Sequence, residues 1–372
     1  MSKSRLIVCG LFAGFIAAGC SSIQHAVGLK MSLEGEAVER MEVALEDDRQ
    51  SLCPREFSRL EVTVEMADGD QEVTEGAGDG RVTWENFDVR RAAGVDVVDD
   101  GVVEMAANPY ETLDEPALLV LSSRYHGDVE YALEVPARHD CDFWADFGGD
   151  DGADGRDGRW GSSGDDGDTD FFDDGSPGGQ GQRGADGQHG HDGRDGRDSD
   201  DVEVYVELVD DEERTLLDVE VVNARSAKSE LFVVDVDGGQ IFLGADGGDG
   251  GAGGDGGDGG DGGDGGEGRP PGHGGNGGNG GDGGNGGDGG DGGAIYVEFS
   301  PDAAPYRNVL RYSNDGGAGG EAGSGGDGGD GGDAPGGASP GAAGPNGQHG
   351  YSGHNGNAGP PPEIVIGGGG EE

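Results

Sequence analysis

Few residues in this chain have types and spacings that could do chemistry. His189-Gly190-His191-Asp192 offers ligand types for a metal, but on a three-residue helix positions i and i+2 point apart, so exposed polar residues are expected there. Asp255, Asp258, Asp261 and Asp264 recur every third residue. On a polyproline II backbone their carboxylates would stand about 9 Å apart, too far to share one ion. Ridges of this kind on neighbouring segments could still bridge calcium weakly, and they are the candidate metal ligands; no other cofactor is expected. Cys53 has no close His or Cys companion and Cys141 has only His139, too few ligands for a zinc site. A structural disulfide is expected, worth about 4–5 kcal/mol for a loop of this length in the chain-entropy model. HExxH and P-loop patterns are absent from the sequence, and a non-enzyme is expected.

The elements that would position these residues are of two kinds. Residues 36–143 carry alternating stretches such as Leu60–Met66 and Val129–Val135, with the period of half-buried strands. Shorter candidates lie at 37–45, 81–89, 101–106 and 116–122, with turns at Asp68-Gly69, Asp79-Gly80 and Asp100-Gly101. Six or seven short strands closed by an end-to-end disulfide predict an immunoglobulin-like β-sandwich, with Trp84 and Phe87 in its core. Further β segments occupy 201–243, 294–315 and 363–372, and the predicted fold class is mainly β throughout.

Between these β segments the chain keeps a three-residue frame. Glycine recurs every third residue from Gly149 to Gly167 and from Gly175 to Gly196, within a Gly-X-Y tract at 144–200. A Gly-Gly-X tract at 244–293 has X mostly Asp or Asn, with breaks at Arg269 and Pro271. A third tract, 316–362, keeps one frame over Gly317–Gly332 and again over Gly341–Gly359. A collagen triple helix is disfavoured, since only 15 prolines occur in the chain. A flexible acidic linker and simple codon-repeat expansion are alternatives. The third reading is a bundle of polyglycine II helices, in which a bare glycine edge lets another backbone approach closely. Each tract is split once into pieces of similar length, roughly 50–78 Å at the polyproline II rise. Breaks at Asp168–Asp174, Arg269-Pro270-Pro271 and Asp333–Pro340 then read as hairpin turns. Three hairpins of six antiparallel staves are expected, with the Gly-Gly-X pair central. The flanking strands would meet at one end in a single small sheet or sandwich.

Composition limits function further. Of 372 residues 86 are Gly and 77 are Asp or Glu, and the formal net charge is -54, which leaves little apolar surface for one large core. A polyanion with no basic patch repels phosphate, so nucleic acid is excluded as a partner. A repeat-in-toxin β-roll is also excluded. Gly253-Gly254-Asp255-Gly256-Gly257-Asp258 starts like its nonapeptide, but no large apolar residue follows and the period is three.

The N-terminus and the tracts carry resemblances. Lys3 and Arg5 precede a short apolar run, Leu6–Ala18, too short to span a bilayer, and Ala17-Ala18-Gly19-Cys20 follows. This resembles the lipobox of bacterial lipoproteins. The resemblance implies a signal peptide at 1–19, lipidation with palmitate-type chains at Cys20, an anchor and linker at 20–35, and membrane attachment. With Ser21 after the cysteine it implies an outer-membrane lipoprotein of a Gram-negative bacterium, on the periplasmic face or the cell surface. The glycine tracts resemble those of springtail antifreeze proteins and phage tail-fibre tip adhesins, which are polyglycine II bundles. The whole layout resembles collagen-like lipoproteins of Gram-negative bacteria. A structural, spacing or adhesive role in the cell envelope is expected, with a protein or envelope polysaccharide as partner. A calcium-binding acidic module is the alternative. Ice binding follows only from the antifreeze resemblance, and the ridges here are charged Asp rather than a flat Ala/Thr/Ser face.

Overall fold

A computed structural model of the chain describes residues 30–169, 176–209, 211 and 214–367. The expected signal peptide and Cys20 lie outside the described residues, as do most of the first expected turn and the last five residues. The chain divides into two units, one ending at Cys141 and the other beginning at Asp142.

The first unit holds β1 (Val38–Leu45), β2 (Phe57–Met66), β3 (Gln71–Val73), β4 (Phe87–Ala93), β5 (Val95–Asp99), β6 (Val102–Met105), β7 (Ala117–Ser123) and β8 (Glu130–Val135). They form two antiparallel sheets, β1-β2-β6-β5 with β3 added on β2, and β4-β7-β8. With short β3 set aside, this strand order is that of the constant-type immunoglobulin sandwich. Alternation along β2 turns Leu60, Val62, Val64 and Met66 inward, against Val103 and Met105 of β6 and Leu119 and Leu121 of β7. Phe87 is buried and Trp84 packs half-buried beside it, ring centroids 5.8 Å apart. Cys53 and Cys141 are disulfide-bonded. Cys53 precedes β2 and Cys141 follows β8, so the bond ties the ends of the domain.

Two boundaries differ from the sequence reading. The linker expected over 20–35 is shorter, because Leu33 is fully buried and its amide donates to Asn86 Oδ1 at 2.7 Å. Asn86 also donates to Thr83, holding Trp84–Asn86 in a 3-10 turn, so the strand expected from 81 starts at Phe87. At the other end, β9 (Asp142–Asp146) crosses the expected boundary at 143. Phe143 and Ala145 are buried in the second unit, where Phe143 lies 5.8 Å from Phe232.

The second unit adds β10 (Val202–Val209), β11 (Leu216–Asn223), β12 (Ser229–Asp235), β13 (Gln240–Gly244), β14 (Ile295–Phe299), β15 (Leu310–Ser313) and β16 (Glu363–Ile366). Where the expectation left a single sheet or a sandwich open, two sheets form: β15-β13-β9, all parallel, and β12-β11-β10-β14-β16, where β10, β14 and β16 are parallel. Each glycine tract leaves from a strand of the smaller sheet and returns to a strand of the larger. Parallel strands need a long crossover, and here a glycine tract supplies it in place of a helix. Val204, Val219, Phe232, Leu243, Val297 and Phe299 are buried among the strands and provide the apolar core that the tracts cannot.

Candidate functional site: a cross-bonded glycine bundle and its outer face

Six extended segments run from these sheets. Residues 149–168, 247–268 and 316–333 are outgoing, and 178–198, 272–293 and 341–359 return. None of their glycines has an amide partner within its own turn, and nearly all find one on another segment. Neighbouring outgoing segments bond in parallel, Gly152 N–H to Asp249 O at 2.7 Å and Gly250 N–H to Ala318 O at 2.8 Å. Returning segments do the same, Gly184 to Asn276 and Gly277 to Ala342, each at 2.9 Å. Outgoing and returning segments bond antiparallel, as in Gly251 to Arg194 O and Gly281 to Gly257 O, each at 2.8 Å. Central segment 247–268 thereby bonds to 149–168, 178–198, 272–293 and 316–333, whereas corner segment 149–168 bonds only to 247–268 and 178–198. Two bare glycine edges are needed in the centre and one suffices at a corner such as 149–168, in keeping with Gly-Gly-X in 247–293 and Gly-X-Y in 149–168; outer segment 316–333 is also largely Gly-Gly-X, and its second glycine edge packs on 341–359. The spacing leaves no room for a side chain: a Cβ on Gly257 would stand 2.2 Å from the Arg159 carbonyl oxygen, and one on Gly281 2.0 Å from that of Gln188.

At most turns the third amide, at X, is met by a side chain. Asp249, Ala252, Asp255 and Asp264 donate their amides to Oδ1 of Asp151, Asp154, Asp157 and Asp166, each 98 residues earlier, at 2.8–2.9 Å. Asp249 Oδ1 in turn accepts the amide of Ala318 at 2.7 Å. On the returning segments Asp186, Asp192, Asp195 and Asp198 accept from Asn279, Asn285, Asp288 and Asp291. Asn276 and Asn285 pass the ladder on to Ala342 and Tyr351. An Asn Oδ1 accepts at the same reach as an Asp Oδ1, which explains why X is Asp or Asn. Backbone bonding from Asn279, then the Arg183 guanidinium, hold the Asp186 carboxyl below the usual carboxylate range.

The sequence-predicted metal candidates have this same task. Asp255, Asp258, Asp261 and Asp264 each give Oδ1 to one amide, those of Ser324, Asp327, Asp330 and Asp333, at 2.7–2.8 Å. Among the described residues no group of three or more His, Cys, Asp or Glu is arranged to hold an ion. His189 also serves in the ladder, its Nδ1 accepting the Asp282 amide at 2.9 Å, while Asp192 serves at the next position, accepting from Asn285. His189 and Asp192 therefore act as acceptors for separate amides.

The ladder is interrupted on the outgoing face. Residue 160 occupies the position that should accept from Asp258, and it is Trp, whose indole N–H only donates. Trp160 is 80% exposed. A second aromatic group lies where the outgoing segments begin: Trp144 of β9 is 63% exposed and stacks on Phe242 of β13 at 5.3 Å with an interplanar angle of 11°. Sequence reasoning missed both. The signal for Trp160 was a large apolar residue in a frame otherwise filled by small and polar ones.

No family model matches this chain, and neither does any curated protein or any solved structure.

Proposed function

We propose that the protein is a non-enzymatic, lipid-anchored envelope protein whose glycine tracts form a rigid polyglycine II bundle with a spacing or adhesive role. One observation carries the rigidity: in central segments both glycine amides of a turn bond to other segments, and most X amides bond to a ladder side chain. A solvated tether leaves those amides to water. The anchor rests on the lipobox resemblance at Cys20, which places the protein on the outer membrane. The disulfide Cys53–Cys141 is in keeping with an exported chain.

The calcium alternative has less in its favour, since each candidate carboxylate already spends one oxygen on an amide. Labelling with a palmitate analogue tests the anchor. Full-length protein should be labelled and sediment with outer membranes, and Cys20→Ala should lose both properties. An unlabelled wild-type chain would refute the anchor. For the bundle, amide exchange over 244–293 should show strong protection, and random-coil exchange there would refute it.

A further inference from the structure

The smaller sheet of the second unit and the outgoing segments share one continuous outer face. Trp144, Phe242 and Arg311 stand in register across β9, β13 and β15. Alternation places Asp146 on the face of Trp144 and Asp246 on that of Phe242. Together with Ser313 these residues line a cleft of about 290 Å³, at the small end of the range for ligand sites. The Asp246 carboxylate is fixed in place: it accepts from the Ser313 hydroxyl at 2.7 and 2.8 Å and from the Asp315 amide at 2.6 Å. The stacked rings are held parallel by the strand spacing, with Trp144 on the edge strand.

We propose that this face binds an uncharged polysaccharide, with a sugar ring stacked on Trp144. A pyranose offers an apolar C–H face to an indole and hydroxyls to the carboxylates and guanidinium around it. The charge of the chain selects among polymers, because a net charge of -54 repels a polyanionic glycan. Trp160 supplies a second station on the same outgoing segment. It lies beside Asp157 and Asp258 at a cleft of about 330 Å³ that also reaches Ser324, and it stands where the ladder gives up an acceptor. Arg183 and Ala252 also offer no ladder acceptor, so what singles out residue 160 is a large apolar ring, 80% exposed, beside this cleft. The two tryptophans are 16 residues apart, roughly 50 Å along the segment, so one polymer can engage both while a short oligosaccharide engages one.

This inference deepens the adhesive part of the reading above and rests on the bundle being rigid. The test is affinity electrophoresis of the full chain through gels containing hydroxyethylcellulose, dextran or a soluble β-1,3-glucan, with pull-down on chitin and with dextran sulfate as the anionic control. Retention on at least one neutral glycan is expected, with dextran sulfate ineffective. Trp144→Ala should weaken retention at least tenfold and Trp160→Ala several-fold, with amide protection over 247–293 unchanged in both. No retention on any of the four neutral probes by a chain with protected bundle amides overturns the binding proposal and leaves the bundle standing. Loss of protection in the wild type would sink the bundle itself. Equal retention of Trp144→Ala, equal retention on dextran sulfate, or a dimer that Trp144→Ala dissolves would each overturn the assignment of this face to a neutral glycan.

Discussion

Replacing Gly257 by Ala tests the close approach of backbones directly. The new Cβ would lie 2.2 Å from the Arg159 oxygen and 2.4 Å from its carbonyl carbon. Relief requires segments 149–168 and 247–268 to part by roughly 1 Å, which carries a bond of ordinary length past the hydrogen-bond limit. Three bonds flank the site: Gly158 to Asp255 O and Gly161 to Asp258 O at 2.7 Å, and Asp255 N–H to Asp157 Oδ1 at 2.9 Å. At about 1 kcal/mol each, with lost dispersion added, the cost is about 3–5 kcal/mol. For a domain of this size that lowers Tm by about 10 °C. Amide exchange should show lost protection centred on 155–161 and 254–260. Asp261→Ala is the control at an X position. It forfeits only the exposed bond to the Asp330 amide, and should cost about 1 kcal/mol or less. If Gly257→Ala leaves both Tm and protection unchanged, the segments do not pack backbone to backbone, and the chain behaves as an acidic tether.

Two further substitutions probe separate parts of the second unit. Asp282 Oδ1 accepts the Gln348 amide at 2.7 Å, so Asp282→Asn should retain protection at residue 348 and Asp282→Ala should lose it in exchange measurements; equal loss in both would mean the charge matters rather than the acceptor. The hydroxyl of Tyr312 is buried without a partner among the described residues, and Tyr312→Phe should stabilise by about 1 kcal/mol in denaturant unfolding at neutral pH. Burial pushes the Tyr312 phenol above its ordinary value of 10, so the folded state holds a proton that the unfolded state releases. Wild-type stability should therefore fall as pH rises past 10, and the Phe variant should lack that part of the decline.

Much of this architecture is written in local spacing. Matched breaks divide the glycine tracts into the segments that bond antiparallel, and the unbroken Gly-Gly-X pattern of 244–293 marks the central pair, because each bare edge is a place for another backbone. The sandwich was legible for the same reason, since Leu60, Val62 and Val64 alternate with polar residues on β2. The task of the aspartates was hidden. Asp157 meets the amide of Asp255 across 98 residues, and no local pattern encodes that pairing. Its trace in the sequence is chemical: Asp and Asn share an Oδ1 at one reach, whereas a metal ridge would favour Asp with Glu. The strand at Asp142–Asp146 was missed because its partner, β13, lies nearly a hundred residues on.

The ladder also bears on why such a bundle stops growing. Parallel addition of another segment requires a bare glycine edge, and exposed backbone edges invite association between copies. The corner segments present side chains instead. Arg156, Asp157, Arg159 and Trp160 follow one another within 149–168, and Tyr351, 81% exposed, stands on 341–359. Pro345 lacks an amide where Asn279 Oδ1 would otherwise receive one, and Arg183 donates to that oxygen at 3.2 Å instead. The surplus of Asp adds repulsion between bundles, while each ladder carboxylate is eased by the amide it accepts. The same aspartates thus hold six segments together and keep a seventh away, leaving the exposed aromatic residues as the part of this face suited to contact with something else.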